Sequence, residues 1–408
     1  MIEILHKEDC CGCNACVQRC PQQCISMHED EEGFLYPHID QTKCINCNLC
    51  NRVCPVLNQE APRQPLQIYA AKNTNLQIRR ASSSGGIFTL LAEQILKAKG
   101  VVFGARFNKN WEVVHDYTDT IDELAAFRGS KYSQSNINTS FLQAEKFLKE
   151  SRIVLFSGTP CQIAGLKHFL HKDYPNLLTV EVVCHGVPSP AIWRKYLKSI
   201  IPSIPSTKGI HSLNQAITSI AFRDKQTGWD KYSLVIKGHG SNDMGQTITD
   251  TILLSETVDH NSYLQGFIHD LYLRPSCYSC PSKSFKSGSD ITIADFWGIK
   301  YYHATMDDNL GVSAVLINTQ KGLNHWKNLE VNAQQTRYSF VLRGNPAISQ
   351  SSKRPSKRAS FFKQIDSVPF DDLVWKCIQI SYTTKFKAHI KTFMKKIGLL
   401  TLIRKIAQ

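Results

Sequence analysis

Cys10-Cys-Gly-Cys13-Asn-Ala-Cys16-Val-Gln-Arg-Cys20-Pro21 and Cys44-Ile-Asn-Cys47-Asn-Leu-Cys50-Asn-Arg-Val-Cys54-Pro55 share one spacing, three cysteines two residues apart and then a fourth followed by proline. Three thiolates on a tight loop can face three corners of a 4Fe-4S cube, while the cysteine before proline swings away to complete the neighbouring cube. The spacing therefore assigns Cys10, Cys13, Cys16 and Cys54 to one cluster and Cys44, Cys47, Cys50 and Cys20 to a second. A pair of zinc knuckles also uses Cys-x2-Cys, but does not account for two complete runs each closed by proline. Cys11 and Cys24 fall outside the pattern and are expected to be small buried fillers.

Moving outward, the doubled run is that of the bacterial two-cluster ferredoxins and makes residues 1–60 a small ferredoxin domain, closed by the linker Gln59-Glu-Ala-Pro62-Arg-Gln-Pro65. Ten of the fifteen cysteines lie within the first 54 residues, which favours metal over scattered disulfides. Such a domain passes single electrons and implies a redox partner. The whole chain, 408 residues, exceeds what one core holds. Its 42% hydrophobic and 20% charged residues exclude wholesale disorder. No apolar run reaches membrane-spanning length, and the start, MIEILHKEDCCGC, lacks the basic and apolar regions of a secretory signal, so a cytoplasmic location is expected.

The expected fold class is α/β (α+β overall), with the ferredoxin domain followed by a two-lobed α/β body, 66–205 and 206–345, and a basic helical tail, 346–408. Residues 87–99 carry a helical apolar stripe, 101–106 read as a strand, and helix and strand go on alternating to residue 201, a pattern that predicts a mainly parallel, doubly wound sheet. From Thr218 the segments SIAFR, YSLVIK, TITDTILL, DITIADFW and VSAVLIN read as strands, with a helical stretch at 261–273.

Two loops stand out in the body. Ser82-Ser-Ser-Gly-Gly86 leads into the helix near Ile87, and Ser157-Gly-Thr-Pro-Cys161 turns from strand to helix. Hydroxyls and glycines at such turns suit phosphate or serve as simple caps, and open α/β sheets bind ligands at turns of this kind. Neither G-x-G-x-x-G nor a Walker A sequence occurs, which argues against a standard Rossmann NAD site and P-loop chemistry. Cys161, Cys184, Cys277 and Cys280 match in number a further 4Fe-4S cluster or an all-thiolate zinc site, or are separately buried or reactive thiols. Cys161, near a helix N-terminus, is expected to have a lowered pKa.

The order of doubled ferredoxin run, SSSGG, Gly129-Ser-Lys-Tyr132, GTPCQ, VCHG, Cys-x2-Cys and Ala294-Asp-Phe-Trp-Gly298 resembles the beta subunits of coenzyme F-420 (deazaflavin) hydrogenase and dehydrogenase over residues 1–340. The resemblance implies a flavoprotein in which FAD stands between a two-electron donor or acceptor and one-electron iron-sulfur relays. It implies that Ser82, Ser83, Ser84, Gly85, Gly86, Gly129 to Tyr132 (with Lys131 balancing a diphosphate or merely a surface lysine), Gly158, Thr159, Pro160 and Gln162 line the flavin. It also implies a third cluster on Cys161, Cys184, Cys277 and Cys280. Asp295 orients a ligand or caps a strand end, and His185 is either a proton donor or a structural loop histidine.

The expected function is an iron-sulfur flavoprotein oxidoreductase moving electrons between a ferredoxin-like partner, or another oxidoreductase subunit, and an organic substrate. The alternatives are an electron-transfer adaptor without its own substrate, or a reductive step in surface-polysaccharide synthesis, with which chains of this type are also associated. A ferredoxin on the same polypeptide and a basic tail depart from the hydrogenase subunits, which leaves the deazaflavin open as substrate. From Ser351 onward thirteen Lys/Arg stand against three Asp, and residues 385–405 place apolar residues among lysines. Such a segment either lies on the inner face of an anionic membrane or packs its stripe on the body. Nucleic acid is not expected as a partner, since no nucleic-acid fold accompanies the basic run 353–358.

Overall fold

The computed structural model describes residues 2–200, 216–241 and 247–378; the amphipathic segment 385–405 lies outside them. The doubled cysteine run becomes a doubled backbone. Helix α1 (Ala15–Arg19) and helix α2 (Leu49–Arg52) each begin after an asparagine in the left-handed region, Asn14 at φ 61° and Asn48 at φ 62°, a conformation asparagine tolerates better than most residues. Between them β1 (Ile25–Glu29) and β2 (Leu35–Ile39) pair as an antiparallel hairpin.

The body is built on one eight-stranded sheet. Its strands are β3 (Gln67–Asn73), β4 (Val101–Phe107), β5 (Val113–Thr118), β6 (Val154–Gly158), β7 (Leu177–Val182) and, after a separate three-stranded antiparallel sheet of β8 (Ile217–Asp224), β9 (Ser233–Ser241) and β10 (Thr247–Thr257), β11 (Ile291–Asp295), β12 (Ser313–Ile317) and β13 (Val331–Gln335). The order is β13-β3-β12-β11-β7-β6-β4-β5, so the two expected lobes share one sheet. The expectation of a mainly parallel sheet is corrected. Only β4·β6, β6·β7 and β7·β11 run parallel, while β5, β12, β3 and β13 join antiparallel. Periodicity marks a strand but carries no direction. The β4–β5 return is a tight turn in which the Asn108 side chain accepts from the N–H groups of Asn110 and Glu112, and such a turn can only produce an antiparallel pair.

Helix α3 (Leu76–Arg80), α4 (Ile87–Lys97), α5 (Ser140–Lys149), α6 (Pro160–Leu170) and α7 (Pro190–Ile200) connect the first strands. The stripe read in the sequence is the buried face of α4, with Ile87, Leu91, Ile95 and Leu96 inside. The ferredoxin domain is seated on this body and shares its core. Cys13, Cys16 and Val53 pack in one apolar cluster with Phe103, Phe141, Phe156 and Leu166. Gly165 of α6 lets Cys13 approach, since a Cβ there would stand 2.9 Å from the Cys13 Cβ and Sγ. The Gln18 amide oxygen accepts from the first N–H groups of α5, at Phe141 and Leu142. Arg358, 2% exposed, forms a two-pronged pair with Glu32 at 2.6 Å per bond.

Candidate functional site

Fourteen of the fifteen cysteines gather into three sets. Cys10, Cys13, Cys16 and Cys54 surround one hollow, with Cys11 beside them. Cys20, Cys44, Cys47 and Cys50 surround another, with Cys24 beside them and its sulfur 3.4 Å from that of Cys20. Four thiols around each hollow are the donor set that a 4Fe-4S cube takes from a bacterial ferredoxin. Burial pushes the Cys16 thiol up to about 12 and raises Cys54. A cationic centre inside the hollow reverses that penalty by stabilising the thiolates, so uptake of metal releases protons.

The third set is drawn from three elements. Cys161 stands in the first turn of α6, Cys184 follows β7, and Cys277 and Cys280 lie on and after the 3-10 turn Pro275–Ser279. All four sense one another electrostatically. Burial pushes Cys184 up to about 12 and raises Cys277 and Cys280; Cys161 adds to all three, Cys280 to Cys184 and Cys277, and Cys184 to Cys277. Cys161 does not have the lowered pKa expected of a helix N-terminus. Its thiol is raised well above its ordinary value, first by hydrogen bonding with Cys11 and then by burial, and these outweigh the helix end. Cys11 is buried in the core, as expected, and its thiol meets both Cys13 and Cys161, so it spans the first ferredoxin set and the body set.

A cleft of about 490 Å³ opens at the C-terminal ends of the parallel strands β6, β7 and β11, where open α/β sheets bind ligands. Ser82 to Ser84, Gly86, Lys131, Tyr132, Gly158, Thr159 and Gln162 line it, together with Cys184 and His185. Gly85 and Pro160 do not. Gly85 backs onto the sheet, where its N–H donates to Ser313 Oγ and a Cβ would stand 2.4 Å from the Ala71 carbonyl, while Pro160 opens α6. The serine hydroxyls mostly shape their own loop. Ser82 donates to the Ile78 carbonyl and Ser84 to Val312, while Ser83 Oγ accepts from the Ser130 N–H at 2.7 Å and joins the two loops. Gly86, at φ +81°, turns the chain into α4, whose first residues Ile87 to Thr89 border the cleft.

Two cations unmarked in the sequence reading hold that loop. Arg79, 1% exposed, pairs with Asp308 and donates to the Gly311 carbonyl. Lys225 Nζ donates to the carbonyls of Arg79, Ser84 and Leu310 at 2.7 to 2.9 Å. Burial drives Lys225 down to about 7, but three carbonyl acceptors favour the ammonium and oppose that shift. Lys131 is likewise lowered by burial to about 7, although the cleft leaves its side chain part-exposed and so tempers the effect. Its Nζ donates to the carbonyls of Ala126 and Arg128.

Below Gln162 runs a chain of polar groups. Gln162 Nε2 donates to Ser135 Oγ at 2.8 Å, and His115 bonds Ser135 Oγ through Nδ1 and the Ser157 carbonyl through Nε2. A carbonyl can only accept, so Nε2 carries the hydrogen and Nδ1 accepts from the serine hydroxyl. Burial pushes His115 down to about 4, which keeps it neutral at pH 7. Asp295 neither ends a strand idly nor faces a ligand alone: it pairs with buried Arg223 and accepts from Trp229 Nε1 at 3.0 Å. His185 lies with Nε2 2.6 Å from Asp270 Oδ1. Arg223 and His115 were beyond sequence reasoning, because their partners are distant in the chain.

Comparison with known proteins fits this geometry. The N-terminal part of the coenzyme F420 hydrogenase/dehydrogenase beta subunit matches residues 68–141, and its C-terminal part matches residues 151–337. The chain belongs to that family. A 4Fe-4S dicluster domain matches residues 9–58, so this family member carries its own iron-sulfur electron-transfer domain. A component of the F(420)H(2) dehydrogenase of Methanosarcina mazei is 24% identical over 170 residues, 39% of this chain and 48% of that protein, so the chain spans about half the length of that relative. A 7Fe ferredoxin of Hydrogenibacillus schlegelii is 43% identical over 51 residues, 12% of this chain and 59% of that protein. A chain of the F420-reducing [NiFe] hydrogenase complex of Methanosarcina barkeri aligns at 16% identity with a TM-score of 0.45, covering 70% of this chain and 90% of that one. Among the described residues no helix is long and apolar enough to cross a membrane.

Proposed function

We propose that this beta-subunit relative is a flavin-dependent oxidoreductase whose two ferredoxin clusters feed a third 4Fe-4S cluster on Cys161, Cys184, Cys277 and Cys280, beside FAD in the cleft. The observation that carries this reading is Cys184. It belongs to the body thiol set and also lines the cleft, so the hollow that gathers the loops at residues 82–86, 129–132 and 158–162 adjoins that set. Cys11 continues the line from Cys161 to Cys13. FAD held there would exchange electron pairs with an organic substrate and single electrons with the clusters.

The chain's own contribution is placement. The N-terminal end of α4 offers backbone N–H groups to a diphosphate, and Ser83 ties the loop at 82–86 to that at 129–132. The neutral His115, Ser135 and Gln162 chain fixes the turn at Gly158. Electrons reach or leave through a ferredoxin-like protein or another oxidoreductase subunit docking at the ferredoxin domain, where Cys47 and Ile45 are exposed. Anaerobic purification with iron, sulfide and flavin analysis tests the reading: about twelve irons and about one FAD per chain are expected, whereas about eight irons and no flavin would make the chain an adaptor.

A further inference from the structure

Four arginines are buried among the described residues: Arg79, Arg223, Arg274 and Arg358. Three have a carboxylate partner, in Asp308, Asp295 and Glu32 respectively. Arg274 is 1% exposed and, among the described residues, forms no ion pair. Its guanidinium spends its donors on neutral oxygens: Nε donates to the Cys10 carbonyl at 2.7 Å, Nη1 to Gln134 Oε1 at 3.0 Å and Nη2 to the Leu35 carbonyl at 2.9 Å. The ring of Tyr36 lies 4.4 Å from it. It is pressed so closely on the first cysteine loop that a Cβ at Gly12 would stand 2.8 Å from Nη1.

Burying a guanidinium without an opposite charge is costly. The ionisable groups that favour its charge are Cys10, Tyr36, Cys11 and Cys277, three of them thiols. Arg274 thus lies between the first ferredoxin set and the body set, and Lys283 adds a second buried ammonium next to Cys184 and Cys280. A cluster ligated by four thiolates is net negative and gains another negative charge with each electron it accepts. Burial penalises that gain, so the inner centres would be harder to reduce than the outer one, whose Cys47 is exposed. A fixed cation acts in the opposite direction, and strongly where water is excluded.

We propose that Arg274 is the counter-cation of the electron path, raising the reduction potentials of the Cys10-side cluster and of the body cysteine set so that both stay within reach of the outer Cys44-side cluster. The part concerning the body set rests on the function proposed above; the part concerning Cys10 does not.

The test is an anaerobic redox titration of the full chain followed by electron paramagnetic resonance, with the outer signal assigned by its loss in Cys47→Ser. Arg274→Gln should move the inner signals to lower potential and leave the outer one in place, and Arg274→Lys should restore most of the shift. Gln134→Glu puts a carboxylate against Nη1 while keeping Arg274, and should lower the inner signals even if Arg274→Gln does not fold. Inner signals that stay put in Gln134→Glu, or that move together with the outer signal, overturn the proposal. If the wild type holds about eight irons, not about twelve, the body-cluster reading falls and the Cys10-side signal alone decides.

Discussion

The ferredoxin domain and the cleft both depend on cysteine, but they are assembled in opposite ways. Each ferredoxin set takes three thiols from seven consecutive residues, Cys10 to Cys16 or Cys44 to Cys50, and only its fourth from the other run. The body set takes its four from α6, the end of β7 and the turn at 275–279, so it exists only when the sheet has formed. A site that a loop nearly makes by itself is robust and anonymous in function, whereas a site that the whole fold must make is sensitive to packing and tied to one cleft.

The largest effect that can break this contrast is removal of a thiol from the cluster proposed for the body. Cys277→Ser should cost about four irons per chain and leave the ferredoxin signals unaltered, as read by iron analysis and paramagnetic resonance; loss of all iron would mean that the two regions do not fill independently. Next comes the joint between them. Glu32→Ala strands the buried Arg358 guanidinium and should destabilise the chain by about 3–5 kcal/mol in denaturant unfolding, while a loss below about 1 kcal/mol would make the pair a surface-like contact.

The smallest effect is a pH dependence confined to the cleft. His115 falls from 6.5 to about 4 on folding, through burial. As pH falls, the unfolded chain takes up that proton before the folded one does. The contribution is therefore whole above about pH 6.5 and lost between there and about pH 4, on the order of 3 kcal/mol in all. Urea midpoints at pH 7 and pH 5 should differ less in His115→Gln than in the wild type, and an unchanged difference would acquit the histidine.

Much of the first region was legible because its thiols are neighbours in sequence. The repeat could be counted, and the positions of proline distinguished the crossing cysteine. In the body, most strands from 101 to 317 could be read from their apolar runs, but not their directions; β3, β5 and polar β13 (Val-Asn-Ala-Gln-Gln) were not picked out. The loops lining the cleft could be picked out by glycine and hydroxyl content. What holds them could not: Arg79 meets Asp308 and Arg274 meets Cys10 across more than two hundred residues, and nothing local marks either arginine as buried. Cys11 is buried as its place outside the repeat suggested, but its contact with Cys161 could not be read, since that residue is supplied by another element.

The seating of the small domain has a kinetic corollary. With Gly165 admitting Cys13, Gln18 capping α5 and Glu32 gripping Arg358, the module has no room to swing like a carrier on a leash. The intervals an electron must cross inside the chain are set once, at folding. Internal transfer should thus be indifferent to solvent viscosity, and only the encounter with the outside partner should slow in glycerol.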